Sequence, residues 1–449
     1  MLNNLRQRLA GPEISRQLQA LAAGAPASAP LSLTLELSQE ATPDWLAALP
    51  ASSPFWYRAR PAQGCFELGI GHALQISSAG PNRFAALDNA FGGLASHWRH
   101  NGSPRAFCGF AFDEQSPDGQ PNALPNALLA IPAILLETRP GRCLATLSTP
   151  AGKIAQAPAL WQRLLAPGKP QAGFRLLPAT DRTLADRAWI ARVRAALRAI
   201  DEQRLDKIVL SRKLTLQAAG PIATVHLLGA LLEQQPDSLI YAHGNGPCVF
   251  LGATPERLVR LTAGQIEADA LAGTAWPGSP TLDVPKNRHE QSLVVGAIVA
   301  ALEKCCDAPP QASQPNICAA GEVSHLRTLI SGRAADGISI FDLVRALHPT
   351  PAVGGFPTAA ALDWLTAHGE QRSGWYSGGF GSITPDGDGE FSVALRSALI
   401  EGNCLELQAG AGIVAGSDPQ QELAETEAKF GTLLAALDAP LRAERGLLG

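Results

Sequence analysis

The stretch PCVFLGATPERLVRLTAGQIEADALAGT, residues 247–274, decides the fold class. It contains three apolar runs separated by turn signals at Thr254-Pro255 and Ala263-Gly264. Short apolar runs bounded by such signals predict consecutive strands joined by turns. Because short connections join antiparallel neighbours, this stretch predicts part of an antiparallel sheet.

The other predicted strands and helices are grouped along the chain rather than strictly alternating. Apolar patterning predicts strands at 30–38, 106–113, 142–149, 206–217, 390–400 and 404–414. Apolar residues at helical spacing predict helices at 183–203 and 286–304, and a final helix begins at Pro419. This grouping indicates an α+β fold with large antiparallel sheets rather than a doubly wound parallel sheet.

The chain has two halves of different composition. Residues 1–180 are rich in Ala, Pro, Gly and Ser, include a loop predicted at 114–126, and contain no recognisable chemical motif. All of the motifs with chemical meaning lie in residues 181–440. We therefore expect the catalytic groups to come from the C-terminal half.

Composition excludes several classes of protein. With 449 residues, 46% hydrophobic residues and a formal charge of −4, the chain does not have the composition of a disordered protein. Lys and Arg together number 36 against 40 Asp and Glu, so no basic excess points to nucleic acid. The best apolar runs, 127–136 and 293–302, are about half the ~20 residues of a membrane span. No signal-peptide pattern is visible, and the eight cysteines form no C-x-x-C pair, which predicts a cytoplasmic protein with reduced thiols and no zinc.

Three acidic residues are candidate metal ligands. Glu422 and Glu425 are three residues apart, so they share one face of the last helix, and Lys429 follows Glu425 at i+4. Glu290 lies near the start of the helix predicted at 286–304. Together these carboxylates would suit Mg²⁺. The alternatives are a solvated helix face carrying a Glu–Lys pair and a first-turn acid that complements the helix dipole.

Four further features have both a structural and a functional interpretation. Arg396 lies in an apolar strand, where its charge needs an anionic partner that is either structural or a substrate carboxylate. The backbone of Gly410–Gly412 is expected to follow a strand and either binds an anion or allows a bulge or close packing. Lys207 is either a buried base or a solvated edge-strand lysine, and Glu256 by itself is an ordinary turn acid.

In this order along the chain, these features resemble the chorismate-utilising enzymes, which include anthranilate synthase component I, and among them isochorismate synthases. The resemblance covers about half of the chain. The matching stretches are DKIVLSRK (206–213), FLGATPERLVRL (250–261), ALAGTAWPG (270–278), KNRHEQSLVV (286–295), VSHLRTLISG (323–332), LHPTPAVGGFP (347–357), SGWYSGGFG (373–381), GEFSVALRSALI (389–400) and AGAGIVAGSDPQQELAETEAKF (409–430).

The resemblance implies a fold, a substrate and roles for individual residues. The fold would be a single α+β unit over residues 1–449, in which two large antiparallel sheets pack face to face with helices outside. The substrate would be chorismate, bound with Mg²⁺ by a cytoplasmic monomer. Lys207 would activate water for attack at ring C2, and Glu256 would protonate the hydroxyl leaving C4. Glu290 and Glu425 would bind Mg²⁺ directly, with Glu422 linked to it through water. The residues implied in substrate binding are Gly273, Thr274, His325, Ala352, Tyr376, Leu395, Arg396, Gly410, Ala411, Gly412 and Lys429.

Particular positions discriminate between members of this family. Amine-forming relatives usually carry Gln at the position of Lys207, and aminodeoxychorismate synthases carry a nucleophilic Lys at the position of Ala272, so water is the expected nucleophile. Salicylate synthases, which go on to eliminate pyruvate, tend to carry Thr at the position of Ala352. We therefore favour isochorismate synthase, with salicylate synthase as the alternative and a catalytically silent paralogue as the third possibility. The product would serve menaquinone, siderophore or other aryl biosynthesis.

The sequence also departs from the family pattern. Asn287 replaces the usual Asp beside the Glu290 motif, which removes a negative charge near the expected Mg²⁺ site. Ala275-Trp276 replaces the usual basic residue after Gly-Thr, and the loop between Thr274 and Lys286 is short. These differences affect how the site closes over its substrate rather than the class of reaction.

Overall fold

A computed structural model describes residues 2–37, 45–115, 124–166, 174–177, 182–277, 279, 282, 284–321 and 323–439. Its helices are α1 (Leu2–Ala10), α2 (Pro12–Ala22), α3 (Arg83–Ala95), α4 (Ala157–Leu164), α5 (Thr183–Asp201), α6 (Thr224–Gln234), α7 (Pro285–Leu302), α8 (Ile340–Leu347), α9 (Thr358–Ala367) and α10 (Pro419–Asp438). Its strands are β1 (Pro30–Leu37), β2 (Phe55–Arg60), β3 (Cys65–Ser78), β4 (Arg99–His100), β5 (Ala106–Phe110), β6 (Ala127–Arg139), β7 (Arg142–Pro150), β8 (Lys207–Gln217), β9 (Leu239–Asn245), β10 (Cys248–Thr254), β11 (Arg257–Thr262), β12 (Gln265–Ala275), β13 (Gln311–Ala312), β14 (Asn316–Ala320), β15 (Val323–Arg333), β16 (Gly355–Phe356), β17 (Gly379–Ile383), β18 (Gly389–Val393), β19 (Ser397–Glu401) and β20 (Cys404–Val414).

The strands form two sheets that share the long pair β3 and β6. The first sheet runs β16-β8-β20-β19-β10-β9-β2-β3-β6-β7-β1, and the second runs β3-β6-β5-β17-β18-β11-β12-β15 and ends at β13 and β14. Strand β6 belongs to both because one of its edges pairs with β5 at 127–130 and with β7 at 134–139. Among the described pairs, only the short contact between β1 and β4 is parallel. The predicted α+β class with large antiparallel sheets is confirmed.

The two sheets pack face to face through an aromatic layer. Trp56 of β2, Tyr241 of β9 and Phe250 of β10 meet Phe107 of β5 and Phe380 of β17 in this layer. The rings of Trp56 and Phe107 stack with centroids 5.7 Å apart. Large aromatic rings bury much apolar area each, so this layer holds the sheets together.

The helices cover the outer faces of the sheets. Residues of α1, α2, α4, α6 and α10 form one core with the first sheet. Residues of α3, α5, α7, α8 and α9 form a second core with the second sheet, which also receives Ile208 and Leu210 from β8. The two halves of the chain share both sheets, because β2 pairs with β9 and β5 pairs with β17.

Most predicted elements are present, with shifted ends. The three strands at 247–274 are β10, β11 and β12, and the helix predicted at 183–203 ends at Asp201. The strand predicted at 106–113 ends already at Phe110. Residue 38 of the first predicted strand and residues 116–123 of the predicted loop lie outside the described residues.

One predicted strand is wrong. Residues 390–400 form two strands, β18 and β19, instead of one. The break is at Arg396, whose φ of +49° is left-handed. Strand β18 pairs with β11 and β17 in the second sheet, while β19 pairs with β10 and β20 in the first. The chain therefore crosses from one sheet to the other at Arg396, and a continuous strand could not make that crossing.

Two further expectations concern membranes and thiols. Among the described residues, no helix combines the length and the apolar character needed to cross a bilayer. All eight cysteines lie in described parts of the chain and carry free thiols.

Candidate active site

Lys207 begins strand β8 and is enclosed, with 1% of its surface exposed. Side chains alternate along a strand, so Lys207 faces away from the core that receives Ile208 and Leu210. Its Nζ lies 2.8 Å from Oε1 of Glu290. The alternative of a solvated edge lysine is therefore wrong.

Glu290 lies in the second turn of α7, which begins at Pro285. The interpretation as a first-turn acid is therefore also wrong. Its Oε2 accepts a hydrogen bond from the Gly273 N–H at 3.2 Å. Burial by itself would raise the pKa of this carboxyl, but Lys207, Lys286 and Lys429 together outweigh burial and the pKa falls below its usual value. Glu290 is thus ionised inside the protein.

Glu256 occupies the turn between β10 and β11 and is buried. Burial raises the pKa of its carboxyl to about 8, and the negative charge of Asp269 acts in the same direction. The charges of Lys207 and Arg396 offset only part of this rise. At neutral pH the carboxyl is therefore mainly protonated and able to donate a proton.

Helix α10 presents the other two acids. Asp418 caps its start by accepting hydrogen bonds from two backbone N–H groups of the first turn. Glu422 in that turn is 1% exposed, and its Oε1 lies 2.5 Å from Nζ of Lys286. Burial and the nearby charge of Glu425 raise the pKa of Glu422 to about 7. Its Oε2 has no hydrogen-bond partner among the described residues.

Glu425 lies one turn further along α10. Its Oε1 lies 2.6 Å from Nζ of Lys429 and accepts a hydrogen bond from Thr274 Oγ1 at 3.1 Å. Lys429 also donates to the Gly410 carbonyl at 2.8 Å. The i, i+4 pair expected from the sequence is formed, but its side chains are only 12% exposed. The alternative of a solvated helix face is wrong.

The three candidate metal ligands are each paired with a lysine. Within the described ranges, no three carboxylate, histidine or cysteine side chains converge to form a ready-made ion site. The donor set nevertheless suits a hard divalent cation, since it consists of carboxylate oxygens. The buried, unpartnered Oε2 of Glu422 is an acceptor that such a cation would satisfy.

His325 connects the buried Arg396 to the end of β12 that carries Gly273 and Thr274. It lies opposite Thr274 in the ladder between β12 and β15. Its Nε2 lies 2.9 Å from Nη2 of Arg396, and its Nδ1 lies 3.0 Å from the Gly273 carbonyl oxygen. Because arginine only donates, Nε2 accepts and Nδ1 carries the proton. Burial lowers the pKa of His325 well below its usual value, and the charges of Arg396 and Lys429 act in the same direction, so the ring is neutral.

Arg396 carries a buried charge that has no anionic partner within the part of the chain that the structure describes. No carboxylate forms an ion pair with it among the described residues, and its Nε has no hydrogen-bond partner there. A guanidinium cannot lose its charge and needs a partner when buried. Of the two interpretations of Arg396, the arrangement therefore favours a group that awaits an anionic ligand.

A cavity of about 50 Å³ lies between Arg396 and Lys429. It has room for a few water molecules, so the walls have to separate before a ring-sized ligand enters. Its lining residues are Ala352, Val353, Tyr376, Leu395, Arg396, Gln408, Ala409, Gly410 and Lys429. Larger cavities of about 580 and 590 Å³ are lined by other residues.

Gln408 is a lining residue that sequence reasoning missed. Its Nε2 donates to Ser211 Oγ and to the Gln371 carbonyl, both at 2.9 Å, and its Oε1 accepts from the Ser373 N–H at 2.9 Å. The available signal was an uncharged polar residue within the mainly apolar run LQAGAGIV. These hydrogen bonds of the Gln408 side-chain amide all go to protein groups, so Gln408 fixes the backbone beside the cavity.

The glycines Gly410 and Gly412 lie within β20 and not after a strand, which corrects the sequence prediction. A Cβ at position 412 would lie 2.5 Å from Oε1 of Glu290, and one at position 410 would lie 2.7 Å from the Leu210 carbonyl oxygen. Both positions therefore need glycine because neighbouring atoms approach closely. This is the close-packing alternative, and Ala411 between them points into the second core.

Asn287 does not take the place of a metal-directed carboxylate. Its Nδ2 donates to the Leu282 carbonyl at 3.2 Å, which an aspartate could not do. Its Cβ also lies close to Gly273, where an added Cβ would approach it to 3.1 Å. Asn287 therefore holds the Leu282 carbonyl in place, and residues 278, 280, 281 and 283 lie outside the described residues.

Comparison with known proteins identifies the family. A family model described as chorismate binding enzyme matches residues 17–438. The salicylate biosynthesis isochorismate synthase of Pseudomonas aeruginosa is 35% identical over 409 residues, which cover 86% of this chain and 85% of that protein. The isochorismate synthase MenF of Bacillus subtilis is 36% identical over 264 residues, covering 57% of this chain and 56% of that protein.

A solved structure agrees with these matches. The menaquinone-specific isochorismate synthase MenF from Escherichia coli has a TM-score of 0.78 and 24% identity, covering 95% of this chain and 99% of that one. At this identity the likeness establishes the fold, which is the two-sheet α+β architecture described above. The family model spans nearly the whole chain, and the Pseudomonas relative matches most of both sequences. The chain therefore belongs to the chorismate binding enzyme family.

Proposed function

We propose that this protein is an isochorismate synthase that converts chorismate to isochorismate with Mg²⁺. The observation that carries the proposal is a pair of buried groups, an amine and a carboxyl, that interact electrostatically. Lys207 is a buried amine, and Glu256 is a carboxyl whose pKa of about 8 keeps it mainly protonated at neutral pH. Relatives of the chain over most or half of its length are named isochorismate synthases.

The reaction requires one base and one acid at separate places on the ring. Lys207 accepts a proton from a water molecule while the water oxygen bonds to C2. The two conjugated ring double bonds shift away from C2 toward C4, the bond between C4 and its hydroxyl oxygen breaks with its electron pair on oxygen, and Glu256 gives its proton to that oxygen, which leaves as water. One water enters and one leaves, so the product is an isomer of the substrate. Positioned proton transfer of this kind is worth about 10²–10⁴-fold in rate.

Lys207 has to leave its ion pair before it acts as a base. Its ammonium lies 2.8 Å from Glu290, and an amine that donates to a carboxylate holds its proton. Lys207 is therefore expected to change partners when the substrate complex forms.

The substrate carboxylates are the anions that Arg396 lacks. Arg396 offers at the edge of the cavity an Nε that has no partner among the described residues, and guanidinium binds carboxylate in bidentate fashion. Tyr376 and Lys429 line the same cavity and supply further donors. Burial raises the pKa of the Tyr376 hydroxyl to about 12, so it remains a donor throughout the physiological range.

Mg²⁺ supplies charge neutralisation and a template for an anionic substrate when it is bound. Glu290, Glu422 and Glu425 would hold it, directly or through water. Because each of these carboxylates is paired with Lys207, Lys286 or Lys429, the lysines keep the acids ordered in the metal-free protein. These lysines must break their contacts with the three carboxylates when Mg²⁺ and the substrate bind.

Salicylate synthase is the second candidate, because it uses the same pocket and then eliminates pyruvate. Ala352 lines the cavity beside Tyr376 and Arg396. The small side chain at this position favours a synthase without lyase activity. The related Pseudomonas protein is named for salicylate biosynthesis and the Escherichia coli MenF is named menaquinone-specific, so these names support salicylate and menaquinone pathways as users of the product.

Product analysis tests the proposal directly. Purified protein is incubated with chorismate and Mg²⁺, isochorismate is measured by chromatography, and pyruvate is measured by coupling to lactate dehydrogenase. We expect isochorismate in equilibrium with chorismate and no pyruvate above that of the Lys207→Ala control. Stoichiometric pyruvate would favour salicylate synthase, and absence of both products would favour a silent paralogue.

A further inference from the structure

Arg372 is a buried arginine that the proposed chemistry does not use. Its side chain is 2% exposed, although it lies in an irregular segment between α9 and β17. Its charge is matched by Glu370, whose Oε1 lies 3.3 Å from Nε of Arg372. A buried guanidinium needs all of its donors satisfied, so its partners show what it holds in place.

The guanidinium joins three separate segments around the substrate cavity. Nη2 donates to the Val209 carbonyl at 3.0 Å, two residues beyond Lys207 on β8. Nη1 donates to the Val353 carbonyl at 2.8 Å, in the segment that contains Ala352. Nη1 also donates to Ser377 Oγ at 2.7 Å. One planar group therefore sets the spacing of the base strand and of two walls of the cavity.

Two contacts fix the plane of this guanidinium. Its central carbon lies 3.7 Å from the centre of the Phe112 ring, which is stacking distance. On the other side of the network, Glu370 accepts from the backbone N–H of Ser211 at 3.0 Å and pairs with Arg192. Glu370 is thus held by β8 and α5, and Arg372 has little freedom to move.

Ser377 shows that the arrangement is imposed on the backbone. Its φ is +53°, a left-handed conformation that is strained for a non-glycine residue. Two hydrogen bonds hold Ser377 in this conformation. Its Oγ accepts from Arg372, and its backbone N–H donates to the Ala394 carbonyl at 2.8 Å. This conformation determines the direction of the adjacent Tyr376, which lines the cavity.

We propose that Arg372 is a positioning residue that sets the affinity of the pocket for its carboxylate-bearing ring substrate. It acts through Ser377 and Val353 on the cavity walls formed by Tyr376 and Ala352. This inference rests on the proposed function, because the substrate taken to occupy the cavity is chorismate. A purely structural arginine would change stability without changing substrate affinity.

The test compares Arg372→Lys with the wild-type protein and with a matched control. Lysine keeps the charge but cannot form the planar fork. Without the fork, the two cavity walls are no longer held in their binding arrangement, and the free energy of ordering them is subtracted from the free energy of substrate binding. We expect KM and the calorimetric Kd for chorismate to rise by at least about tenfold, with kcat within about threefold of wild type. The control is Arg58→Lys, a buried arginine whose partners Glu67 and Glu390 lie outside the cavity, and it should lower Tm while leaving KM unchanged.

A second variant decides the matter if Arg372→Lys does not fold. Ser377→Ala removes only the hydroxyl that accepts from Arg372, and we expect a near-normal Tm with a Kd for chorismate raised about threefold. A Kd within experimental error of wild type in the folded variants would overturn the proposal. Because calorimetry needs no turnover, a wild-type protein that binds chorismate but makes no isochorismate would contradict the proposed function and leave this inference testable.

Discussion

Lys207 and Glu290 form an ion pair inside the protein, with Nζ 2.8 Å from Oε1 and side chains that are 1% and 12% exposed. The pair links the proposed base on β8 with a proposed metal ligand on α7. Breaking a buried pair by removing one partner typically costs about 3–5 kcal/mol, whereas replacing both partners is often close to neutral. Experiments on either residue therefore have to separate stability from catalysis.

Replacing Lys207 is expected to abolish most turnover. Lys207→Ala should lower kcat by at least about 10²–10⁴-fold, because the proposed proton acceptor for the attacking water is removed, and should change the Kd for chorismate much less. Its Tm should also fall, since Glu290 is left buried without its ammonium partner. Steady-state kinetics, calorimetry and thermal unfolding measure the three quantities.

Two controls identify the cause of that loss. The Lys207→Met and Glu290→Gln double variant should recover the Tm but not kcat. Lys213→Ala, on the exposed part of the same strand, should keep nearly normal turnover. A Lys207 variant with near-wild-type kcat would remove the main reason for preferring a water nucleophile over the amine-forming chemistry of related enzymes.

Removal of the proposed metal ligands should weaken Mg²⁺ binding as well as activity. In Glu425→Gln the neutral amide is a poorer ligand for a hard cation, so the Kd for Mg²⁺ measured by calorimetry should rise by at least about tenfold. The matched control is Glu427→Gln on the same helix, whose carboxylate instead pairs with Arg212 at 2.8 Å. Full turnover in EDTA, or an unchanged Mg²⁺ affinity in Glu425→Gln, would contradict the assignment.

Local sequence patterns correctly predicted those strands and helices whose apolar and turn residues lie within a few positions of one another. The three strands at 247–274 were predicted correctly because apolar runs and turn residues lie within a few positions of one another. The break at Arg396 could not be predicted, because residues 390–400 are mostly apolar throughout. The break arises because β18 and β19 pair with strands of different sheets. The run at 127–136 likewise gave no hint that β6 is shared by both sheets.

The site shows the same division between local and tertiary information. The i, i+4 pairing of Glu425 with Lys429 was evident from spacing. The burial of Lys207 was not, because it depends on the neighbouring strands β20 and β16 and on α7, which are far away in sequence. Arg372 carries no local signal, since its partners are distributed over β8, the Ala352 segment and Ser377.

Glu390 provides a stability prediction away from the site. Burial by itself would raise the pKa of its carboxyl, but Arg60, Arg58 and Arg260 outweigh burial and lower it to about 2. This lowered pKa stabilises the folded state above the unfolded-state value near 4.5, and the contribution is lost as pH falls toward 2. Glu390→Gln should therefore lower the free energy of unfolding at pH 7 by on the order of 3 kcal/mol, with a difference that shrinks in acid.

Urea unfolding of the Glu390→Gln variant at several pH values measures this effect. Glu36→Gln is the matched control, because Glu36 forms a solvent-exposed pair with Arg142 at 3.8 Å, and it should change stability by less than about 1 kcal/mol. The kcat of folded Glu390→Gln should match wild type. An equal loss of stability in both variants would mean that the arginine cluster around Glu390 contributes nothing specific.

Glu256 should show opposite effects on activity and stability. Its folded pKa of about 8 exceeds the unfolded value near 4.5. Below pH 4.5 the carboxyl is protonated in both states and folding carries no penalty. As pH rises from 4.5 toward 8 the unfolded state ionises more readily, so the folded state loses stability, and this loss is the penalty for burying Glu256. Glu256→Gln removes this penalty and should increase the free energy of unfolding at pH 7 by on the order of 3 kcal/mol. The same variant should lower kcat by about 10²–10⁴-fold because it cannot protonate the leaving hydroxyl. If Glu256 were only a turn residue, the Gln variant would instead lose stability and keep its turnover.

The same carboxyl should also set the alkaline limit of activity. Because the reaction needs protonated Glu256, kcat/KM should decline above a pH of about 8. Asp269 raises the pKa of Glu256 through its negative charge, so Asp269→Asn should move this decline to lower pH. Measuring kcat/KM against pH for wild type, Asp269→Asn and the exposed control Glu401→Gln tests the coupling. An alkaline limit that stays in place in Asp269→Asn would show that another group controls it, and Glu256 would lose its assignment as the proton donor.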